Sequence, residues 1–104
     1  MGHTVNHLIC DAIHNRNILT FSYDGHYRMV EPHAYGLSRK RSEVLRCYQI
    51  GGTSRYSKVP EWKLMKVPLI KFLAVTEQHF VGERPGYTGY KRGDKDMSTV
   101  FCEL

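Results

Sequence analysis

The sequence lacks the marks of a membrane protein and of a secreted disulfide framework. Its 104 residues contain no run of about 18 apolar side chains, the length that a membrane-spanning helix needs, and its first residues show no targeting signal. Only three cysteines occur, widely spaced and without a Cys-x-x-Cys pair, which argues against both a secreted disulfide framework and a structural zinc knuckle. We therefore expect a cytoplasmic protein with no membrane partner, in which Cys10, Cys47 and Cys102 are reduced and buried.

The sequence also lacks the motifs of common enzymes. It contains no G-x-S-x-G, no P-loop and no pair of carboxylates in a shared apolar setting. Among its six histidines, His3 and His7 have the spacing of half a metal site, but no second half follows. We therefore predict a binding module with no catalysis, no metal and no cofactor. A small metal-dependent nuclease is the enzyme class that we keep as an alternative.

Positive charge, in contrast, is plentiful and unevenly placed. The net charge is +5, and between Arg39 and Lys71 only Glu43 and Glu61 oppose a long series of basic residues. A one-sided field of this kind favours polyanionic partners such as nucleic acid. A solvated surface that binds nothing in particular explains the charge equally well.

The first apolar residues follow a helical period. They predict one amphipathic helix that starts after Thr4 as N-cap, ends at Asn15-Arg16-Asn17 and buries a stripe of Val5, Leu8, Ile9, Ala12 and Ile13.

Alternating patterns predict that the rest of the chain is mostly strands. Asp24-Gly25 predicts a type I′ hairpin turn between strands 18–23 and 26–31, and Pro32 marks an edge or a bend. Further strands are predicted over 34–37, 43–50, 62–67 and 98–104, with 69–75 as a strand or short helix and with loops over 38–42, 51–61 and 81–97. The expected fold class is α+β, mostly β: an N-terminal helix followed by a bent sheet or partly open barrel. Residues 1–80 form the domain, and residues 81–104 are an extension that packs on it or extends it.

The order of these features resembles the WYL domain family from Leu8 to Phe80. The resemblance rests on Ala12-Ile13, Phe21-x-Tyr23, Arg28-x-Val30-x-Pro32, Val44-Leu45-x-x-Tyr48, Trp62-Lys63-Leu64-x-Lys66-Val67, Leu73 and Phe80. It implies an Sm- or SH3-like barrel and a regulatory module in bacterial or phage transcription regulation or phage defence. The family's name-giving Trp-Tyr-Leu falls on Glu43-Val44-Leu45, and two of its arginines fall on Lys63 and Lys66. Such domains usually follow a DNA-binding domain, so a stand-alone chain is expected to work alone or with a separate DNA-binding partner.

Basic side chains are the first candidates for binding a ligand. Arg28 matches a family position, and Lys63 and Lys66 match two more by charge, although their odd spacing puts them on opposite faces of a regular strand. Exposed cations in the turn Arg39-Lys40-Arg41 can position nucleic acid without reading its sequence. The complete set of candidate residues is Arg28, Arg39, Lys40, Arg41, Arg46, Arg55, Tyr56, Lys63 and Lys66. Ordinary solvated charges are the alternative.

Three aromatic residues are candidates for stacking on bases. Tyr56, between Arg55 and Lys58 in a loop, is the better candidate, whereas Trp62 shares its strand face with Leu64, which favours core packing; Tyr48 also lies on a strand. The function that we expect is therefore binding of nucleic acid or a nucleotide-like ligand by a basic barrel face. The alternative is a protein-interaction module, a homo-oligomer or adaptor that pairs through exposed strand edges.

Overall fold

The computed structural model describes residues 5–54, 59–87 and 94–104. One helix precedes six strands: α1 (His7–Asn15), β1 (Asn17–Tyr23), β2 (His26–Ser38), β3 (Glu43–Gly52), β4 (Glu61–Lys66), β5 (Lys71–His79) and β6 (Met97–Glu103). A single 3₁₀ turn, Val67–Leu69, connects β4 to β5. The strands form one antiparallel sheet that is not closed, so the expected α+β, mostly β class is confirmed.

The helix begins two residues later than its sequence pattern predicts. Asn6, not Thr4, is the N-cap, and its side-chain oxygen accepts a hydrogen bond from the Ile9 amide at 3.2 Å. The predicted end is confirmed, because Arg16 adopts the left-handed conformation and its amide reaches the last carbonyls of the helix. Leu8 was predicted in the buried stripe but is 58% exposed, since the helix turns its face of Ile9 and Ile13 towards the sheet.

The hairpin between β1 and β2 forms as the sequence predicts. Asp24 and Gly25 both have positive φ, at 52° and 75°, as a type I′ turn requires. Tyr23 therefore pairs with His26, and Leu19 with Val30, in one antiparallel ladder.

Strand β2 is one long strand, so the prediction of two separate strands over 26–31 and 34–37 is wrong. The register of the β2–β3 ladder shifts between Pro32 and Ala34, and this irregularity accommodates a residue that has no amide hydrogen. β3 pairs along most of one edge of β2, whereas the other edge pairs first with β1 and then with β6. Residues 97–103 thus become a strand of the same sheet.

The sheet is bent so that its two ends approach each other. Its order is β4-β3-β2-β1-β5, with β6 on β2, so β4 and β5 lie at opposite ends of the order although only four residues connect them. The Tyr23 hydroxyl on β1 accepts a hydrogen bond from the Lys66 amide of β4 at 3.1 Å. Residues 69–75, predicted as a strand or a helix, mainly belong to β5.

The core lies between α1 and the sheet. Its largest members include Ile9, Ile13, Phe21, Tyr35 and Leu45, all fully or almost fully buried. No helix among the described residues is long and apolar enough to cross a membrane.

The expectation of three reduced cysteines is wrong for two of them. Cys10 on α1 and Cys102 on β6 form a disulfide with their Cα atoms 5.7 Å apart, and Cys47 is a buried free thiol. The pairing was missed because only the fold brings together residues that are 92 positions apart. Disulfides persist in oxidising compartments, so the cytoplasmic location stays an untested prediction.

Candidate nucleic-acid interface

Arg28 is placed inside the molecule rather than on a binding surface. Its side chain is only 4% exposed and donates hydrogen bonds to the Tyr23 carbonyl at 3.1 Å and to the Gln49 side-chain oxygen at 3.0 Å. Its guanidinium also lies over the Tyr23 ring, 5.5 Å from the ring centre. These contacts join the β1–β2 hairpin to β3. The Arg28 guanidinium is used within the fold and is not accessible at the surface.

Arg46 is also engaged by the chain itself. Its guanidinium binds both carboxylate oxygens of Asp94, at 2.8 and 3.1 Å, and also pairs with Asp96. Burial alone would raise the pKa of Asp94. The hydrogen bond from Arg46, the hydrogen bond from the Asp96 amide and the charge of Arg46 together outweigh burial and hold that pKa below its usual value. Sequence reasoning missed both aspartates because they follow Arg46 by almost fifty residues.

Lys63 and Lys66 lie on opposite faces of β4, as their spacing predicts. Lys63 is opposite Cys47 in the β3–β4 ladder, and its amino group contacts the Glu61 carboxylate at 3.0 Å and the Ser54 hydroxyl at 3.2 Å. Lys66 is opposite Val44, and its side chain is exposed. Of the two lysines, only Lys66 presents its charge to solvent.

The basic turn between β2 and β3 is exposed, as predicted. The Ser38 amide bonds to the Ser42 carbonyl at 2.8 Å, and Arg41 adopts a positive φ of 64°. Arg39 donates to the Lys95 carbonyl at 3.2 Å. Within the described part of the chain, the side chains of Lys40 and Arg41 make no hydrogen bond or ion pair. Arg55 and Tyr56, the remaining candidates, lie outside the described residues, as does Lys58.

An open depression of about 830 Å³ lies where β4 connects to β5. Its lining residues are Ser22, Tyr23, Asp24, Gly25, Lys66, Leu69, Lys71 and Phe72. The Phe72 side chain is 85% exposed, and its φ of 58° is costly for a residue with a Cβ atom. Sequence reasoning missed Phe72 and Lys71, although a cation directly before an aromatic residue was visible there.

The basic turn and this depression lie towards the same end of the β3–β4 ladder. Lys66 is the last residue of β4 and pairs with Val44, which is only three residues beyond Arg41. Lys71 begins β5 shortly after the 3₁₀ turn. We call this surface the open basic end and define it by Arg39, Lys40, Arg41, Lys66, Lys71 and Phe72.

A second surface, the covered face, carries Arg46, Tyr48 and Trp62 on β3 and β4. The Trp62 indole donates to the Pro85 carbonyl at 3.2 Å, and its ring stacks with Tyr87 at a centroid distance of 5.7 Å. The Arg84 guanidinium lies 4.9 Å from the centre of the Tyr48 ring. Of the three candidates for stacking on bases, Tyr48 and Trp62 are therefore in contact with the chain's own later residues.

Comparison of the chain with protein-family models, with curated proteins and with solved structures found no match. The similarity to WYL domains therefore remains an expectation that rests on the sequence motifs.

Proposed function

We propose that this protein is a regulatory module that binds nucleic acid through the open basic end. The observation that carries the proposal is Phe72, an aromatic ring left 85% exposed in the same depression as the exposed Lys66 and Lys71. Stacking of a base on such a ring contributes about 1–3 kcal/mol, and neighbouring cations attract the phosphates on either side.

The exposed ring is hard to explain by folding alone. Phe72 buries almost none of its side chain, and a positive φ costs a non-glycine residue roughly 1–3 kcal/mol. Neither feature stabilises the sheet. Both are understandable if the ring serves a ligand.

The distribution of cations favours a polymer over a single nucleotide. Arg39, Lys40 and Arg41 come from the β2–β3 turn, whereas Lys66 and Lys71 flank the β4–β5 connection. A ligand with several phosphates can contact both groups at once, and each contact that releases a counterion strengthens binding at low salt.

The test is fluorescence anisotropy with labelled single-stranded DNA and RNA between about 50 and 200 mM salt. We expect binding that weakens with salt and a Lys66→Gln variant with lower affinity and a salt slope reduced by about one charge. Lys63→Gln is the matched control, because it removes the same charge from the same strand but from an amino group held by Glu61. Equal losses in both variants would show that net charge alone matters, and no binding at low salt would overturn the proposal.

A homo-oligomer is the second candidate function, and strand β5 is the observation that favours it. Among the described residues β5 pairs only with β1, so its other edge has unpaired backbone groups beside the exposed Phe72 and Val75. Light scattering that gives twice the monomer mass, together with flat oligonucleotide titrations, would favour this function over the first.

A further inference from the structure

Residues 80–87 follow β5 and lie across the sheet, and we call them the strap. The strap is held at both of its ends and in its middle. The Phe80 amide bonds to the Arg16 carbonyl at 2.9 Å, and the Arg84 guanidinium makes a bidentate ion pair with Glu31 at 2.7 and 2.9 Å. Towards its end, the Pro85 carbonyl accepts from the Trp62 indole.

Gly86 lets the strap come close to the indole. It has a φ of 93°, and a Cβ atom at this position would lie 3.1 Å from the Trp62 ring nitrogen. Any larger residue here would therefore meet both backbone strain and steric pressure. The strap therefore packs closely against the covered face at Gly86.

His33 is the side chain at the centre of this contact. It is completely buried, and its ring touches three aromatic rings: Trp62 at 4.8 Å, Tyr87 at 5.0 Å and Phe80 at 5.6 Å between centres. Two of these rings belong to the strap itself.

The two hydrogen bonds of His33 require its neutral form. Nδ1 lies 2.9 Å from the Glu31 carbonyl, which can only accept, so Nδ1 carries the hydrogen. Nε2 lies 3.1 Å from the Arg84 amide, which can only donate, so Nε2 must be unprotonated. A proton on Nε2 would abolish this hydrogen bond, because two N–H donors would then face each other without an acceptor.

The charges that face His33 have mixed signs. Burial lowers its pKa most, and the hydrogen bond to the Glu31 backbone opposes this. The charges of Glu31 and Glu83 also raise the pKa, whereas that of Arg84 lowers it. The effect of burial is larger than the combined effect of the others, so the pKa of His33 lies below the ordinary value of 6.5.

We infer that residues 80–87 form an acid-released strap, which neutral His33 latches over the aromatic surface of Tyr48 and Trp62. Once the strap leaves, His33 is solvated, binds a proton more readily and stabilises the released state. The equilibrium constant for docking of the strap on the sheet is therefore independent of pH well above the pKa of His33 in the released state. As the pH falls through that pKa, the constant decreases by up to tenfold for each pH unit. The inference goes beyond the proposed function, because the open basic end stays exposed whether the strap is docked or released.

The single tryptophan of the chain is the reporter. Trp62 loses its hydrogen bond and its Tyr87 neighbour on release, so we expect its emission to shift to the red and to become more easily quenched between pH 7.5 and pH 5 (a window set around the ordinary histidine pKa of about 6.5). Circular dichroism should stay constant, since residues 80–87 contain no strand and their release leaves the hydrogen-bonded ladders of the sheet intact. Emission that does not change with pH would overturn the inference.

Two variants separate His33 from the other histidines. His33→Gln cannot take up a proton in this range, and we expect its emission to be independent of pH. His79→Gln is the matched control, since His79 is exposed on β5 next to the strap, where it contacts Asn17. Its profile should follow the wild type. A pH response that persists in His33→Gln, or disappears in His79→Gln, would assign the switch to another group.

Amide exchange in the wild-type protein tests the same point without substitution. After correction for intrinsic rates, the protection of the Arg84 amide should fall by up to tenfold per pH unit below about pH 6.5. The Cys47 amide, which lies in a central strand, serves as the internal control. If the protection of the Arg84 and Cys47 amides fell in parallel, the protein would be unfolding globally, and local release of the strap would be contradicted.

Discussion

On the covered face and its strap, the two described arginines are paired: Arg46 with Asp94 and Asp96, and Arg84 with Glu31. At the open basic end, Lys66 and Lys71 make no side-chain ion pair within the described residues, and Phe72 projects into solvent. Both surfaces combine basic and aromatic side chains, so composition alone does not distinguish them. The difference is one of counter-ions: the chain supplies them to Arg46 and Arg84, whereas the described residues supply none to Lys66 and Lys71, and this is why we propose the ligand at the open basic end.

Breaking the disulfide should have the largest effect on this comparison, because the disulfide anchors β6, and the two aspartates that pair with Arg46 of the covered face come directly before β6. Cys10 and Cys102 are 92 residues apart, and closing a loop of that length is worth about 4.6 kcal/mol in the chain-entropy account. We expect the Cys10→Ser, Cys102→Ser double variant to lose about that free energy of unfolding in urea.

The wild-type protein with and without reductant is the control for this variant. Burial raises the pKa of Cys47 to about 12, so the oxidised protein should expose no reactive thiol until it unfolds, and then only one. Identical urea midpoints in oxidised and reduced protein would contradict the expected contribution of the disulfide.

Removing one paired cation should have the second largest effect. Arg46→Gln leaves the buried Asp94 carboxylate without its partner, and we expect the free energy of unfolding to fall by about 3 kcal/mol. Arg41→Gln removes the same charge from the exposed turn and should change stability by less than about 0.5 kcal/mol.

Acid titration sharpens the Arg46 comparison. The pKa of Asp94 is lowered in the folded state, so its pairing stabilises the protein above the ordinary carboxyl pKa of 3.8 and is lost as the pH falls through the lowered value. The wild type should therefore lose more stability than Arg46→Gln between about pH 5 and pH 2. Equal acid sensitivity would show that Arg46 does not hold the Asp94 charge.

Replacing the exposed ring should change stability less than removing Arg46 does, and in the opposite direction. Glycine adopts a positive φ without strain, so Phe72→Gly should raise the free energy of unfolding by about 1 kcal/mol. The same change removes a stacking ring and should weaken oligonucleotide binding by roughly tenfold. Urea denaturation and anisotropy measure the two effects separately. A variant that is more stable and binds as well as the wild type would remove Phe72 from the interface.

Local patterns in the sequence predicted much of the fold. Asp24-Gly25 defines its hairpin because the required positive φ values are a property of those two residues. The faces of β3 followed from alternation, with Leu45, Cys47 and Gln49 buried together. The continuity of β2 through Pro32 could not be predicted in this way, because it depends on a register shift against a neighbouring strand.

The candidate site was only partly predictable, because charge pairing is a long-range property. The sequence marked Arg46 and Arg28 as basic, but their partners are identified only when the strands are assembled. The strap was predicted as a loop, and nothing local indicated that Arg84 would meet Glu31, 53 residues earlier. The basic turn was predicted correctly because its residues and its exposure are both local.

The link between Cys10 and Cys102 also changes what a protease can do to this molecule. Almost the whole chain lies inside the covalent ring that the disulfide closes, so one cut in the exposed turn between β2 and β3 opens the ring without separating its parts. The cut protein would keep its mass, apart from one added water, and would run as two fragments only on a reducing gel. The two halves of the sheet would remain at a high effective concentration for each other, so a cleaved molecule can retain its shape.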